Sequence, residues 1–145
     1  MKFLTLVAIL TMLGLGCSAS PDLERVEIGL KLHEQGRFSE AIIQYDQVID
    51  QNPNAALAFY HRGLAYTGLH NIDHAIKDYT EAISLEPLLA QAYTNRGRSY
   101  TEIGEYQLAI ADLDKAIILD VTDALAYSNR GYAYTSLGEY RQAVA

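Results

Sequence analysis

Small and apolar residues return along this chain at a fixed interval of 34. Residues 90–123, AQAYTNRGRSYTEIGEYQLAIADLDKAIILDVTD, lie over their neighbours at that offset with no insertion or deletion. Tyr93-Thr94-Asn95-Arg96-Gly97 becomes Tyr127-Ser128-Asn129-Arg130-Gly131 one step later and Phe59-Tyr60-His61-Arg62-Gly63 one step earlier. Two steps earlier only Gly29 survives from that group. With position 1 of the unit at Asp22, Ala56, Ala90 and Ala124, glycine holds position 8 (Gly29, Gly63, Gly97, Gly131). Alanine holds position 20 (Ala41, Ala75, Ala109, Ala143), and Val48, Ala82 and Ala116 hold position 27. A repeat of this length sets the architecture before any single residue does.

Within each unit the pattern predicts two antiparallel helices, A then B. Glycine inside a helix costs about 1 kcal/mol against alanine, so its recurrence calls for a packing reason. Gly at 8 and Ala at 20 are expected in the middles of facing helices, with large residues at 4, 11, 17 and 24 filling the space around them. These are Phe59, Tyr66, Ile72 and Tyr79 in the second unit and Tyr93, Tyr100, Tyr106 and Leu113 in the third. The turns carry their own signals. Gly36, Gly104 and Gly138 follow helix A, where a left-handed residue stops a helix. His70 breaks that series, and Asn71 after it is expected either to take over the turn or to cap the next helix. Pro53 and Pro87 end helix B, and Asp123 is the expected N-cap of the fourth A helix. The first unit is the most divergent, with Arg25 at an aromatic position, as terminal repeats often are.

From residue 22 onward this pattern resembles the tetratricopeptide repeat, whose 34-residue unit reads W-x2-L-G-x2-Y…A-x3-F…P. The resemblance implies an all-α, right-handed superhelical solenoid of antiparallel helix pairs with about three and a half repeats. The units run over 22–55 (degenerate), 56–89, 90–123 and 124–145, the last reading as cut within its B helix.

The resemblance also implies where function lies. In the family the A helices line a concave groove through positions 2, 5, 6, 9, 12 and 13. The first two units contribute apolar side chains there, among them Tyr60 and Leu64. The third contributes Thr94, Asn95, Arg98 and Thr101, and the fourth Ser128, Asn129 and Tyr132. Asn95 and Asn129 are the leading candidates, since an amide offers both a donor and an acceptor to the backbone of an extended peptide. The competing reading is that both only solvate the helix or bond a neighbour. Arg98 suits a ligand carboxylate, or equally an intrahelical pair with Glu102 at i+4. Val26 and Leu30 stand where chaperone-binding relatives carry the Lys and Asn of their carboxylate clamp, which disfavours that mode.

Composition narrows the partner class. The chain of 145 residues has a formal charge of -7 and no basic run, which argues against nucleic acid and leaves a protein or peptide partner. Self-association through the incomplete last unit is a further expectation. No catalytic motif, phosphate loop or dinucleotide glycine pattern is evident, so no cofactor and no enzymatic activity are expected. His70 and His74 are four apart without a third ligand and read as surface histidines.

Residues 1–21 differ from the rest. Lys2, an uncharged apolar run and then small residues have the layout of a signal peptide, too short for a spanning helix. Leu13-Gly14-Leu15-Gly16-Cys17 resembles a bacterial lipoprotein box, with Gly14 departing from the usual branched residue. That implies residues 1–17 as leader with Cys17 the acylated N-terminus, residues 18–21 as linker, and an exported, membrane-anchored protein in the cell envelope. Cleavage near Ser18-Ala19-Ser20 with loss of Cys17 is the competing route to the periplasm or the exterior.

Overall fold

The computed structural model describes residues 21–138. The leader expected over residues 1–17, with Cys17, and residues 139–145 of the fourth unit lie outside the described residues. Seven helices follow one another: α1 (Pro21–Glu34), α2 (Phe38–Gln51), α3 (Ala56–Gly68), α4 (Ile72–Leu85), α5 (Ala90–Glu102), α6 (Tyr106–Leu119) and α7 (Ala124–Ser136). The A helices α3, α5 and α7 begin at position 1, and every B helix runs from position 17 to 30. In the first three units each A helix packs antiparallel on its own B helix and touches the next A helix. The B helices touch no other B helix among the described residues. Each B helix also packs on the A helix that follows it, and a stack in which A meets A while B does not meet B curves with the A helices on the inside, giving an all-α solenoid with a concave A face.

The turns explain this uniform register. Position 15 is left-handed in all four units, at Gly36 (φ 73°), Gly104 (φ 82°), Gly138 (φ 77°) and His70 (φ 56°). His70 therefore takes the strained conformation itself and does not pass it to Asn71. Asn71 instead caps α4 by accepting from the backbone N–H of His74. Behind Gly36, His70 and Gly104 an N–H reaches back over the helix end: Arg37 to Leu32, Asn71 to Tyr66 and Glu105 to Tyr100, each at 2.9 Å. Asp123 caps α7 as expected, accepting from Leu125 and Ala126, both at 3.0 Å. Pro53 and Pro87 lie just beyond α2 and α4, yet α6 stops at the same position with Val121 in their place. The left-handed turns and caps suffice to hold the register.

The contact at the recurring glycine is more specific than a close approach of two backbones. A Cβ on Gly29 would stand 2.5 Å from Tyr45, on Gly63 2.7 Å from Tyr79, and on Gly97 2.8 Å from Leu113. All three intruders occupy position 24, and all three are fully buried. Position 8 is glycine because a large side chain of helix B lies flat across it. Around it the core is built of alanine, including two positions the pattern alone did not single out. These are position 3 (Ala58, Ala92, Ala126) and position 10 (Ala65, Ala133).

A polar ladder runs through the same stack. Arg62 donates to Asp78 of its own unit at 2.8 and 2.7 Å and to Asp46 of the preceding unit at 2.6 Å. Arg96 repeats the arrangement with Asp112 at 2.7 and 2.8 Å and with Thr80, which stands where the preceding unit has aspartate, at 3.0 Å. Arg130 reaches Asp114 at 2.8 Å. Each guanidinium also lies over the aromatic ring three residues before it: Phe59, Tyr93 and Tyr127, at 5.3, 5.8 and 5.5 Å. The first unit has Arg25 where the ring should be and Ile28 where the arginine should be, so it carries no such rung. Arg25 bonds Gln47 instead.

Candidate functional site

The concave wall is made by α1, α3, α5 and α7, and their helical period selects which side chains reach it. The residues expected there divide into three groups.

Thr94 does not reach the surface. It is buried, and its hydroxyl donates to Asp123 at 2.6 Å. The carboxylate that caps α7 thereby also ties α5 to it, and Thr94 is structural. Thr101 is half-buried and bonds the carbonyl of Gly97 one turn back, at 3.0 Å, the usual resting place of a helical threonine.

Asn95 and Tyr60 are brought together. The amide of Asn95 donates to the Tyr60 hydroxyl at 3.3 Å and to the carbonyl of Gln91 at 2.8 Å. The contact with a neighbouring helix, one of the two readings of this residue, is thus present. Both donors of Asn95 are engaged, while its carbonyl oxygen has no partner among the described residues. Burial, partly offset by the hydrogen bond from Asn95, pushes the Tyr60 phenol up. Tyr60 therefore stays a neutral hydroxyl, able to donate into the groove. Leu64 is half-buried beside it on the next turn of α3.

Arg98, Ser128, Asn129 and Tyr132 have no intramolecular bond among the described residues. Arg98 is exposed and does not pair with Glu102, which removes the intrahelical alternative. Ser128 is exposed, Asn129 half-buried, and Tyr132 is 61% exposed. The C-terminal half of the wall thus presents a cation, an amide, a hydroxyl and a phenol to solvent.

His61 is a residue the sequence reading passed over. It holds position 6, as Asn95 and Asn129 do. It stacks on Tyr45 (5.9 Å, 24°) and meets Tyr60 edge-on (5.1 Å). Burial, with a smaller contribution from nearby His33, pulls its pKa down to about 4. Beneath it Tyr45 has a buried hydroxyl with no partner, and burial raises its pKa to about 12. In the second unit the equivalent Tyr79 bonds Thr67 at 2.9 Å. The first unit has His33 at the threonine position, so Tyr45 goes unsatisfied. His70 and His74 do not converge: His70 forms the turn, and His74 turns its ring nitrogen to Asn71 at 2.8 Å. No cluster able to hold a metal ion occurs among the described residues.

Family models give the class. The TPR repeat matches residues 29–69 and 97–138, and the Tetratricopeptide repeat matches residues 56–87. The chain belongs to the tetratricopeptide repeat family. No curated protein matches it by sequence. Among solved structures, MamA is 32% identical over 81% of this chain and 68% of its own, with a TM-score of 0.77. The first TPR of Spaghetti (RPAP3), bound to the HSP90 peptide SRMEEVD, is 24% identical over 86% of this chain and 99% of its own, with a TM-score of 0.80. The second TPR domain of human RPAP3, in complex with the HSP70 peptide SGPTIEEVD, is 24% identical over 78% and 94%, with a TM-score of 0.75. The last two likenesses are likenesses of fold.

Proposed function

We propose that the chain is a non-catalytic scaffold whose concave wall holds an extended segment or a helix of a partner protein. The observation that carries this is the set Arg98, Asn129 and Tyr132. They are polar or amphipathic side chains on the inner face, with no bonds to the described residues, continuing a wall that is apolar at Leu57 and Leu64. Asn95 and Tyr60 add an acceptor and a donor suited to a peptide backbone. Structures of the same fold with peptides bound support the reading by analogy.

Site-specific photo-crosslinking in the expressing cell tests it. A photoreactive phenylalanine at Tyr132 is expected to capture a partner, and one at Leu108, exposed on a B helix, is not. Equal capture at both sites, or at neither, overturns the groove. Asn129→Ala should then weaken binding of the captured segment without lowering the melting temperature.

The same proposal sets the scaffold outside the cytoplasm, held by an acyl chain on Cys17. It rests on the leader-like residues 1–16 and on the place of the only cysteine. Mass spectrometry of the mature N-terminus is expected to find acylated Cys17, and a peptide beginning at Ala19 or Ser20 would refute it. A second reading is assembly through the fourth unit. It requires a concentration-dependent dimer in sedimentation.

A further inference from the structure

The edge carrying the B-to-A turns exposes Leu57, Leu88, Ile118, Val121 and Leu125, at 51, 75, 72, 70 and 69%. They come from the last turn of α6, the first turns of α3 and α7, and the turns between. Such a run of exposed large apolar side chains marks an interaction surface. Near its N-terminal end the edge sinks into a depression of about 510 Å³. It is open to solvent and is bordered by the first turns of α1 and α3 and the ends of α2 and α4. Val26, Val48, Leu57 and Leu85 are its large apolar side chains, and Asn52, Asn54 and the carboxylates of Asp22 and Glu86 line it beside them.

The charge here is mainly negative. Glu24, Asp50 and Asp120 join Asp22 and Glu86 on these terminal turns, against the single cation Arg25, which bonds the neutral amide of Gln47 and keeps its charge. Neither Asp22 nor Glu86 has a bonded carboxylate among the described residues. A patch of large apolar side chains beside two unengaged carboxylates matches a side chain with an apolar stem and a cationic head. It does not match an anionic leaflet, which these carboxylates would repel.

We propose that this edge docks a protein segment that places lysine or arginine beside leucine-like side chains, as a cationic amphipathic helix does. The apolar side chains sit on Leu57 and Leu85, and a cation lies between Asp22 and Glu86. The surface lies at the turn edge and takes in Val26 and Leu57 from the apolar end of the groove, but it lies away from Asn95, Arg98 and Asn129, so it stands even if those three bind no peptide. Charge complementarity supplies the selectivity and the rate of encounter, and the apolar contact supplies the residence.

The probe is a synthetic leucine–lysine amphipathic helix, titrated into the isotope-labelled chain and followed by amide chemical shifts, with its leucine–glutamate counterpart as control. The lysine peptide is expected to move Asp22, Leu57, Leu85 and Glu86, and the glutamate peptide is not. The double variant Asp22→Asn/Glu86→Gln should weaken binding about tenfold or more, while Asp73→Asn/Glu105→Gln, an equal change of charge on the opposite edge, should leave it within about twofold. Equal weakening by both pairs would mean bulk attraction to an acidic chain and would overturn the proposal. So would shifts confined to Asn95, Arg98 and Asn129, the absence of saturable binding, or a dimer of the chain alone that buries Leu57, which would give the edge to a second copy.

Discussion

The guanidinium of Arg96 meets the carboxylate of Asp112 twice, at 2.7 and 2.8 Å, across 16 residues of chain. The same span separates Arg62 from Asp78, Arg62 from Asp46 and Arg130 from Asp114. One geometry thus serves both within a unit and between units, and it ties A helices to the B helices on either side.

Breaking a rung should cost more than any surface ion pair. The side chains of Arg96 and Asp112 are only 15% and 10% exposed. Asp112→Ala strands a buried guanidinium and is expected to destabilise by about 3 kcal/mol in urea unfolding. Arg37→Ala, which removes an exposed pair with Glu40, should change stability by under about 1 kcal/mol. The double variant Arg96→Met/Asp112→Leu should recover most of the loss. A deficit in the double variant as large as in Asp112→Ala would mean that the rung contributes through something other than the uncompensated charge.

Gly63→Ala places a methyl group 2.7 Å from a ring carbon of Tyr79, which is fully buried and has nowhere to go. Helix propensity favours the alanine by about 1 kcal/mol, whereas overpacking a core costs about 1–3 kcal/mol. A net loss of up to about 2 kcal/mol is expected, and shortening the intruder with Tyr79→Leu should reduce the penalty of the glycine change. A more stable Gly63→Ala protein would disprove the packing account.

His70→Gly should stabilise. At φ 56° a non-glycine residue bears about 1–2 kcal/mol of strain, partly offset by the greater freedom of glycine in the unfolded chain. The expected gain is about 0.5–1 kcal/mol. The mirror change, Gly104→Ala at φ 82°, should destabilise by about 1 kcal/mol. Thermal melts of the two variants, read together, check the sign at one turn position in two units.

His61 makes stability fall with acid. Its folded pKa is about 4 against an ordinary 6.5, so below pH 6.5 the unfolded chain takes up a proton that the folded chain resists. Stability attributable to this group is therefore complete above pH 6.5 and declines until about pH 4. Between pH 7 and pH 5 the loss should approach about 2 kcal/mol. His33, also lowered by burial, acts in the same direction. His61→Phe, which keeps the ring contact with Tyr45, should flatten the profile over that window. An unchanged slope in the variant would remove His61 as its source.

The groove residues show what spacing could and could not reveal. Asn95 and Asn129 are equivalent in sequence, yet one is tied to Tyr60 and the other has no partner among the described residues. The difference lies in the preceding helix. Tyr60 offers Asn95 a hydroxyl, whereas the equivalent residue facing Asn129 is Thr94, already committed to Asp123. Arg98 and Glu102 satisfy the i+4 rule and still do not pair. The Arg–Asp ladder was written in the sequence as Arg62, Arg96 and Arg130 at one position. Its partners stand at two different positions of the unit and become legible only once both neighbouring B helices are placed.

The 34-residue period by itself determined the helix pairs, the places of the turns and the alanines at positions 20 and 27 of the core, though not those at positions 3 and 10. All of these depend on local propensity and on contacts within one unit, and each unit repeats them. Tertiary structure decided that the recurring glycine accommodates a side chain from position 24, which arginine and aspartate meet, and which of several equivalent polar residues face solvent. Those outcomes turn on where a neighbouring helix sets its side chains, a distance in space that no interval along the chain encodes.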